Sequence, residues 1–329
     1  MSGTLPSSRR VVAVTGPTGF VGSRLVRMLL RTDIVVRAVA RATQGAGSLR
    51  SLGCEVALGD VQDAQSLDAA FAGCETVVHL VAILRERGLA TYDAINRAGT
   101  ANVVAAAKRQ GVGRIVHMSA LGANPNSTRY LRSKWAGEEE VRRGGVRYAI
   151  FRPSFLIGSG GGPAAQFADI VRFGLVYPLR GIVGSSGILA RLAELGPIVP
   201  ILGSGQSRLM PVHLDDVLNA VVQAINRDEV LGETYEVGGP DVVTYEGMMA
   251  TVAEVLGLRR WGVHVPLVAA WAMVRLFAIL SDPPITAEEF ESLLQDNVCD
   301  NTKVQQVFQL SLRPFKVAVT EALKVPIAA

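Results

Sequence analysis

Along residues 11–152, short apolar runs alternate with segments whose apolar positions recur every three or four residues. Val11–Thr15, Ile34–Ala40, Cys54–Leu58, Thr76–Ala82, Arg114–Ser119 and Val146–Arg152 have the length and the β-branched content of strands. Thr76–Ala82 (TVVHLVA) is almost continuously apolar, the pattern of a strand covered on both faces of a parallel sheet. Between the runs, Ser23–Arg31, Asp93–Gln110 and Tyr130–Arg143 carry the helical period. Gly111 and Gly144-Gly145 stand where a helix end favours a residue free to adopt positive φ. Such alternation predicts an α/β fold with a doubly wound parallel sheet and right-handed crossovers.

After Pro153 the rhythm breaks. Gly158–Gly162 is a glycine cluster, and residues 164–203 are apolar but interrupted by Gly and Pro. A short strand near Met210–His213, a helix over Asp215–Arg227 and a strand over Thr234–Val237 follow, and the remainder reads as helical. The pattern divides the chain into a short flexible tail (1–10), a sheet domain (11–157) and a smaller, mostly helical C-terminal domain (158–329), with 210–240 returning to the sheet. Val265–Leu280 (VPLVAAWAMVRLFAIL) is apolar on every side, with Arg275 its one charge. Sixteen residues fall short of the ~20 that span a bilayer. The stretch therefore reads as a buried core helix, the alternative being an interfacial membrane helix or a subunit contact.

Composition narrows the function classes. With 49% hydrophobic and 19% charged residues, extensive disorder is excluded. The net charge of +4 is scattered, so no nucleic-acid patch is expected, and the charge implies only a mild preference for anionic ligands or surfaces. Cys54, Cys74 and Cys299 form no CxxC pair and the four histidines no HExxH. No metal site is expected, and a cytoplasmic, reducing setting fits.

The first strand runs into TGPTGFVG, with Gly16, Gly19 and Gly22. Gly16 permits a tight exit from the strand, Gly19 lets a phosphate reach the backbone, and Gly22 allows close helix–strand packing. The spacing departs from GxGxxG, but its place between strand and helix at the head of a βαβ series points to a dinucleotide. The second strand ends in Arg41, with Arg37 inside it and no acid at its tip. A guanidinium there can pair with a 2′-phosphate, which favours NADP(H) over NAD(H). Asp60, after the third strand, stands where an adenine edge would pass, or caps the next helix.

Tyr130 and Lys134 lie four apart at the start of a helix and share one face. They follow a strand that ends in Ser119, at the side of the sheet where ligands bind. An ammonium beside a phenol favours the phenolate, and Ser119 offers a hydrogen bond to a developing oxyanion.

TGPTGFVG, GDVQD, Ser119 and Tyr130-LRS-Lys134, with FRPS at 151–154 and PVHLDD at 211–216, resemble the extended and atypical short-chain dehydrogenase/reductases. SALGANPNSTRYLRSKWAGEEEVR and PPITAEEFESLLQDNV are similar to one branch, the nucleotide-binding accessory subunit of respiratory complex I and its bacterial relatives. The resemblance implies a Rossmann-type sheet of about seven strands. It places nucleotide contacts on Gly16, Thr18, Gly19, Phe20, Val21, Arg41, Asp60, Val61, Leu80, Val81, Ala82, Lys134 and Pro153. It makes Tyr130 the acid/base, Lys134 its electrostatic partner and Ser119 the carbonyl anchor, and it leaves Asn96 between a site role and helix packing. Two activities stay open: an NADP(H)-dependent oxidoreductase or epimerase on a small, lipophilic carbonyl or hydroxyl substrate, and a nucleotide-bound structural subunit of a membrane respiratory complex. The apolar stretches 164–203 and 265–280 would supply a contact with a membrane surface, or with a membrane complex, at the inner face.

Overall fold

The computed structural model describes residues 10–41, 45–174, 198–277 and 286–324. The expected tail over residues 1–9, most of the apolar segment 164–203 (its residues 175–197) and positions 278–280 lie outside the described residues. The chain divides into two compact units, one within Met1–Arg152 and Leu218–Tyr235, the other within Pro153–Val217 and Glu236–Ala329.

The first unit is built on β1 (Val11–Thr15), α1 (Phe20–Leu29), β2 (Val35–Ala40), α2 (Ala46–Ser51), β3 (Glu55–Leu58), α3 (Ala64–Phe71) and β4 (Thr76–His79). A π-helical stretch, Asp93–Ala98, leads into α4 (Gly99–Arg109), followed by β5 (Arg114–Met118), α5 (Arg129–Arg143) and β6 (Arg147–Pro153). The strand order is β3-β2-β1-β4-β5-β6, closed by a seventh strand, Glu233–Val237. The pairings β1–β2, β1–β4, β2–β3, β4–β5 and β5–β6 are all parallel. This is the expected doubly wound, Rossmann-type sheet. Strand order reverses between β1 and β4, and a crevice at such a switch point, beyond the carboxyl ends of the strands, is where open α/β sheets bind ligands.

The strands form where they do because their apolar residues are covered. Val77, Ile115 and Ile150 pack on Leu67, Phe71, Val103, Val104 and Val141 in one cluster. Each such fully buried side chain contributes ~1.5–3 kcal/mol. Two of the helices start on side-chain caps: Asp63 accepts from the Gln65 and Ser66 amides at the head of α3, and Thr128 from the Leu131 amide at the head of α5. Arg142 and Arg143 in the last turn of α5 suit its negative dipole end.

The second unit has its own core, in which Phe167 and Val171 from helix Gly162–Phe173 meet Met248 and Val252 from Tyr245–Val255 and Val319 from Phe315–Lys324. The stretch beginning at Val265 is not the single buried helix expected. Val265 ends a strand, Trp261–Val265, paired in parallel with Ile198–Leu202, and a helix runs only from Leu267 to Phe277. That helix buries just Ala270 and Val274, against Phe290, and leaves Val268 83% and Leu276 62% exposed. Apolarity on every side is not evidence of burial on every side: here one stripe, with Trp271 beside it on Phe290, is packed, while Val268, Met273 and Leu276 face outward. Among the described residues no helix is long and apolar enough to cross a membrane.

Candidate active site

The turn after β1 fits a diphosphate. Gly16 has φ +70°, and a Cβ there would press on Val81, 3.3 Å away, so the β1 exit and the segment after β4 meet only because this residue is glycine. A Cβ on Gly22 would sit 2.0 Å from the Gly16 carbonyl oxygen, which keeps α1 tight on the turn. A Cβ on Gly19 would touch nothing but that oxygen, at 3.5 Å, so the surface over the turn is open. Gly19 begins α1 without a side-chain cap, leaving first-turn amides and the positive dipole end to an anion. Thr18 and Gly19 are exposed, and Phe20 and Val21 half-buried.

Two arginines of one strand have different fates. Arg37, within β2, binds Glu55 at 2.9 Å and the carbonyls of Ala70 and Ala72. Arg41, just past the strand, is exposed and has no protein partner among the described residues. Asp60 does not cap α3, because Asp63 does. It instead closes its own turn, its carboxylate accepting from the Gln62 amide at 2.9 Å. Val61 is buried, with its carbonyl accepting from Asn102 at 2.8 Å. Leu80 and Val81, half-buried, and Ala82, exposed, follow β4, and Pro153 closes β6, buried.

Tyr130 and Lys134 occupy the first turns of α5, one turn apart. The buried Lys134 Nζ donates to the Met118 carbonyl at 2.7 Å, which fixes the ammonium at the tip of β5. Its other two donors have no acceptor among the described residues. Burial lowers Lys134 to about 8, against the raising effect of Glu138. Tyr130 is half-buried, its ring 5.9 Å from that of Tyr92. Desolvation raises its phenol to about 12. Lowering of the phenol by the ammonium is thus absent here: burial governs its acidity, and Lys134 is engaged by a carbonyl. Ser119 lies at the same tip, but its hydroxyl donates to Glu138 at 2.5 Å, and Glu138 is wholly buried.

Asn96 sits in the π-helical stretch, an irregularity frequent at functional sites. Its amide donates to Ser133 at 2.9 Å, and its carbonyl oxygen accepts from the Ile83 amide at 2.9 Å. It therefore ties the segment after β4 to the helix that carries Lys134, which combines helix packing with positioning. Beside it, His79 is held at both nitrogens. Thr100 Oγ1 gives its one hydrogen to the Asn96 backbone carbonyl at 2.7 Å, so His79 Nε2, 3.0 Å from Thr100 Oγ1, is the protonated nitrogen. Nδ1 then accepts from Thr15 at 2.8 Å. Burial holds His79 near 3, and it stacks at 5.2 Å on His117, whose two nitrogens lack a hydrogen-bond partner among the described residues.

The glycine turn, Arg41 past the β2 tip and Lys134, whose ammonium sits at the β5 tip, thus lie at the carboxyl ends of strands on either side of the switch point. Glu138, His79 and His117 carried no sequence signal. Glu138 sits four residues past Lys134 in KWAGEEE, the one clue to a shared helix face.

A family model described as NAD(P)H-binding matches residues 16–168. A ceramide reductase of Caulobacter vibrioides is 29% identical over 282 residues, 84% of this chain and 81% of that protein. NADH dehydrogenase (ubiquinone) 1 alpha subcomplex subunit 9, mitochondrial, of Arabidopsis thaliana is 29% identical over 302 residues, 87% of this chain and 69% of that protein. The structure of an NADPH-dependent quinone oxidoreductase from Escherichia coli in complex with NADPH matches with a TM-score of 0.70 at 18% identity, over 94% of this chain and 98% of that one, a likeness of fold alone.

Proposed function

Residues 16–168 form an NAD(P)H-binding domain in a chain with reductase relatives, and from that premise we propose an NADP(H)-dependent oxidoreductase of the short-chain dehydrogenase/reductase type. Its substrate is a lipophilic carbonyl compound or the corresponding alcohol. The observation that carries this reading is Lys134: a buried ammonium held at the β5 tip by one carbonyl, with two donors to spare and Tyr130 one turn away.

Gly16, Gly19 and the first turn of α1 would hold the diphosphate, Lys134 a ribose, and Arg41 a 2′-phosphate. A bound NADPH would supply the hydride. Tyr130 Oη is the group that gives a proton to the substrate oxygen, and Lys134, one turn away, would hold the nucleotide beside it. Burial raises the phenol to about 12, so Tyr130 holds its proton at neutral pH. The lipophilic class is taken from the name of the ceramide reductase relative.

The test is anaerobic incubation of the purified protein with NADPH, then NADH, and a panel of long-chain ketones, quinones and sugar nucleotides. The reading expects one alcohol formed per NADPH oxidised, with the apolar carbonyls. Nucleotide that binds but never changes redox state sinks it, and inversion of a sugar nucleotide without net NADPH loss makes the protein an epimerase.

A second reading, a nucleotide-bound subunit of a membrane complex, draws on one feature of the second unit. Trp261, Val268, Met273 and Leu276 are exposed, at 72%, 83%, 41% and 62%, on one strand and the helix after it. Large exposed apolar patches mark interaction surfaces. Cell fractionation separates the two: loss of the protein from membranes under all salt conditions excludes the subunit role.

A further inference from the structure

Glu138 is the wholly buried acid beside the site, and its two oxygens are fully subscribed. Oε1 accepts from Ser119 at 2.5 Å and from Arg152 Nε at 2.8 Å. Oε2 accepts from Arg152 Nη2 at 2.7 Å and from Arg142 at 2.6 Å. A carboxylate offers about four lone-pair directions, so no acceptor capacity remains. A buried ion of this kind persists only when so paired, because an unpaired one costs several kcal/mol.

A serine hydroxyl carries one hydrogen. Committed to Glu138, it leaves Ser119 able to accept a hydrogen bond but not to donate one, whereas an oxyanion needs donors. The Ser119 amide is also fixed, to the Phe151 carbonyl at 2.7 Å. The residue before it, Met118, accepts the Lys134 ammonium. Consecutive residues at the β5 tip are thus gripped by Lys134 and Glu138, one turn apart on α5, while Arg152 ties the same carboxylate to β6 and Arg142 reaches Thr234 at 3.1 Å.

We propose that Glu138 is the positioning residue of this site: by taking the hydrogen of Ser119 it turns that serine into an anchor for α5, and so sets where Lys134 stands, leaving the substrate oxygen to Tyr130. The inference rests on the reductase reading for its last clause only; the anchoring of Lys134 is a property of the protein by itself. Glu138 is also the anion nearest Lys134 along the helix. The other charged or titratable groups around the pair are Tyr130, Glu139 and Arg142 on α5, Arg152 on β6, His117 on β5 and His79 on β4. Both histidines are held neutral by burial, and the Lys134 charge lowers both further.

The first experiment needs no substrate. In lysine-labelled, ligand-free protein, NMR follows the Lys134 amine, assigned among five lysines by its loss in Lys134→Met. Glu138→Gln keeps the shape but removes the charge. The titration midpoint of Lys134 is then expected to move to lower pH by about one unit, and Glu138→Asp to restore part of it. Lys134 lies below its ordinary value, so the unfolded chain binds the extra proton, and wild-type stability rises with pH from about 8 to the ordinary 10.5. The rise starts at lower pH in Glu138→Gln. A midpoint unchanged in Glu138→Gln overturns the proposal, since a purely structural role lowers thermal stability without moving it. Should Glu138→Gln not fold, Ser119→Ala and Glu138→Asp are read in the same way, and an unchanged midpoint in both overturns it.

The second experiment uses turnover. In Ser119→Ala any fall in kcat is expected to come with a moved Lys134 midpoint, whereas loss of an oxyanion donor costs about 10²–10³. A loss of that size with an unchanged Lys134 midpoint returns Ser119 to the substrate. Absence of turnover in the wild type counts against the reductase reading and leaves the titration to decide the role of Glu138.

Discussion

The two ends of the parallel sheet are built from similar residues and treat charge in opposite ways. At the amino end Arg10 meets Glu75, Arg114 and Arg147 share Asp228, and Arg37 meets Glu55 across β2 and β3. Cations there answer anions of the same chain. At the carboxyl end Arg152 is answered by Glu138, but among the described residues Arg41 has no partner, Lys134 keeps two donors free, and the first turn of α1 has no side-chain cap. A parallel sheet gives both ends the same strands. What separates a structural edge from a binding edge is whether positive charge is answered within the chain, and that difference is more informative than the number of charges.

That contrast can be broken at several points. The largest effect is expected from Tyr130→Phe, which removes the proton that the proposed reduction would transfer. It should lower kcat by about 10²–10⁴ while NADPH affinity, measured by calorimetry, stays near wild type. The glycine turn offers a finer test. Gly22→Ala places a Cβ 2.0 Å from the Gly16 oxygen and should cost about 1–3 kcal/mol in chemical denaturation, with nucleotide binding lost alongside. Gly19→Ala meets open space, so the fold should persist while a phosphate is kept off the backbone, and only the binding titration should change. Next come the two arginines of β2. Arg41→Ala should weaken NADPH about tenfold, about 1.4 kcal/mol, and leave NADH unchanged. Arg37→Ala should instead lower stability by about 1–3 kcal/mol without altering the preference between them. Equal losses for both nucleotides in Arg41→Ala would remove the 2′-phosphate assignment. The smallest effect belongs to Arg147→Ala at the amino end, where both partners are more than half exposed. Thermal midpoint and nucleotide binding are both expected to remain near wild type.

The features legible in the sequence are those that depend on neighbours in the chain. Thr76–His79 and Arg114–Met118 lie within their apolar runs because parallel strands are covered on both faces. Gly16 and Gly22 stood out because a tight turn needs them at that spacing. What depended on distant pairing was hidden. A run of three glutamates in KWAGEEE looks like a solvated face, and only the meeting of α5 with β5 and β6 buries the first of them. Ser119 was found by its place at a strand end, but which group takes its hydrogen is a tertiary fact. Asp93–Gln110 reads as one regular helix, though its first six residues are π-helical. The periodicity of Leu267–Phe277 gave no direction to its apolar surface, since period reveals a face only when the other face is polar.

The hydrogen-bond line from the Leu80 amide through Thr15, His79 and Thr100 to the Asn96 carbonyl runs in a single sense, with each hydroxyl and ring nitrogen assigned its role. An imidazole fixed in that way has no lone pair left for an incoming proton. The residue type usually employed to sense mild acid is therefore deaf to it here, and the rim of this sheet should behave alike in a weakly acidic medium and a neutral one, with its first protonic response on the alkaline side, at the lysine.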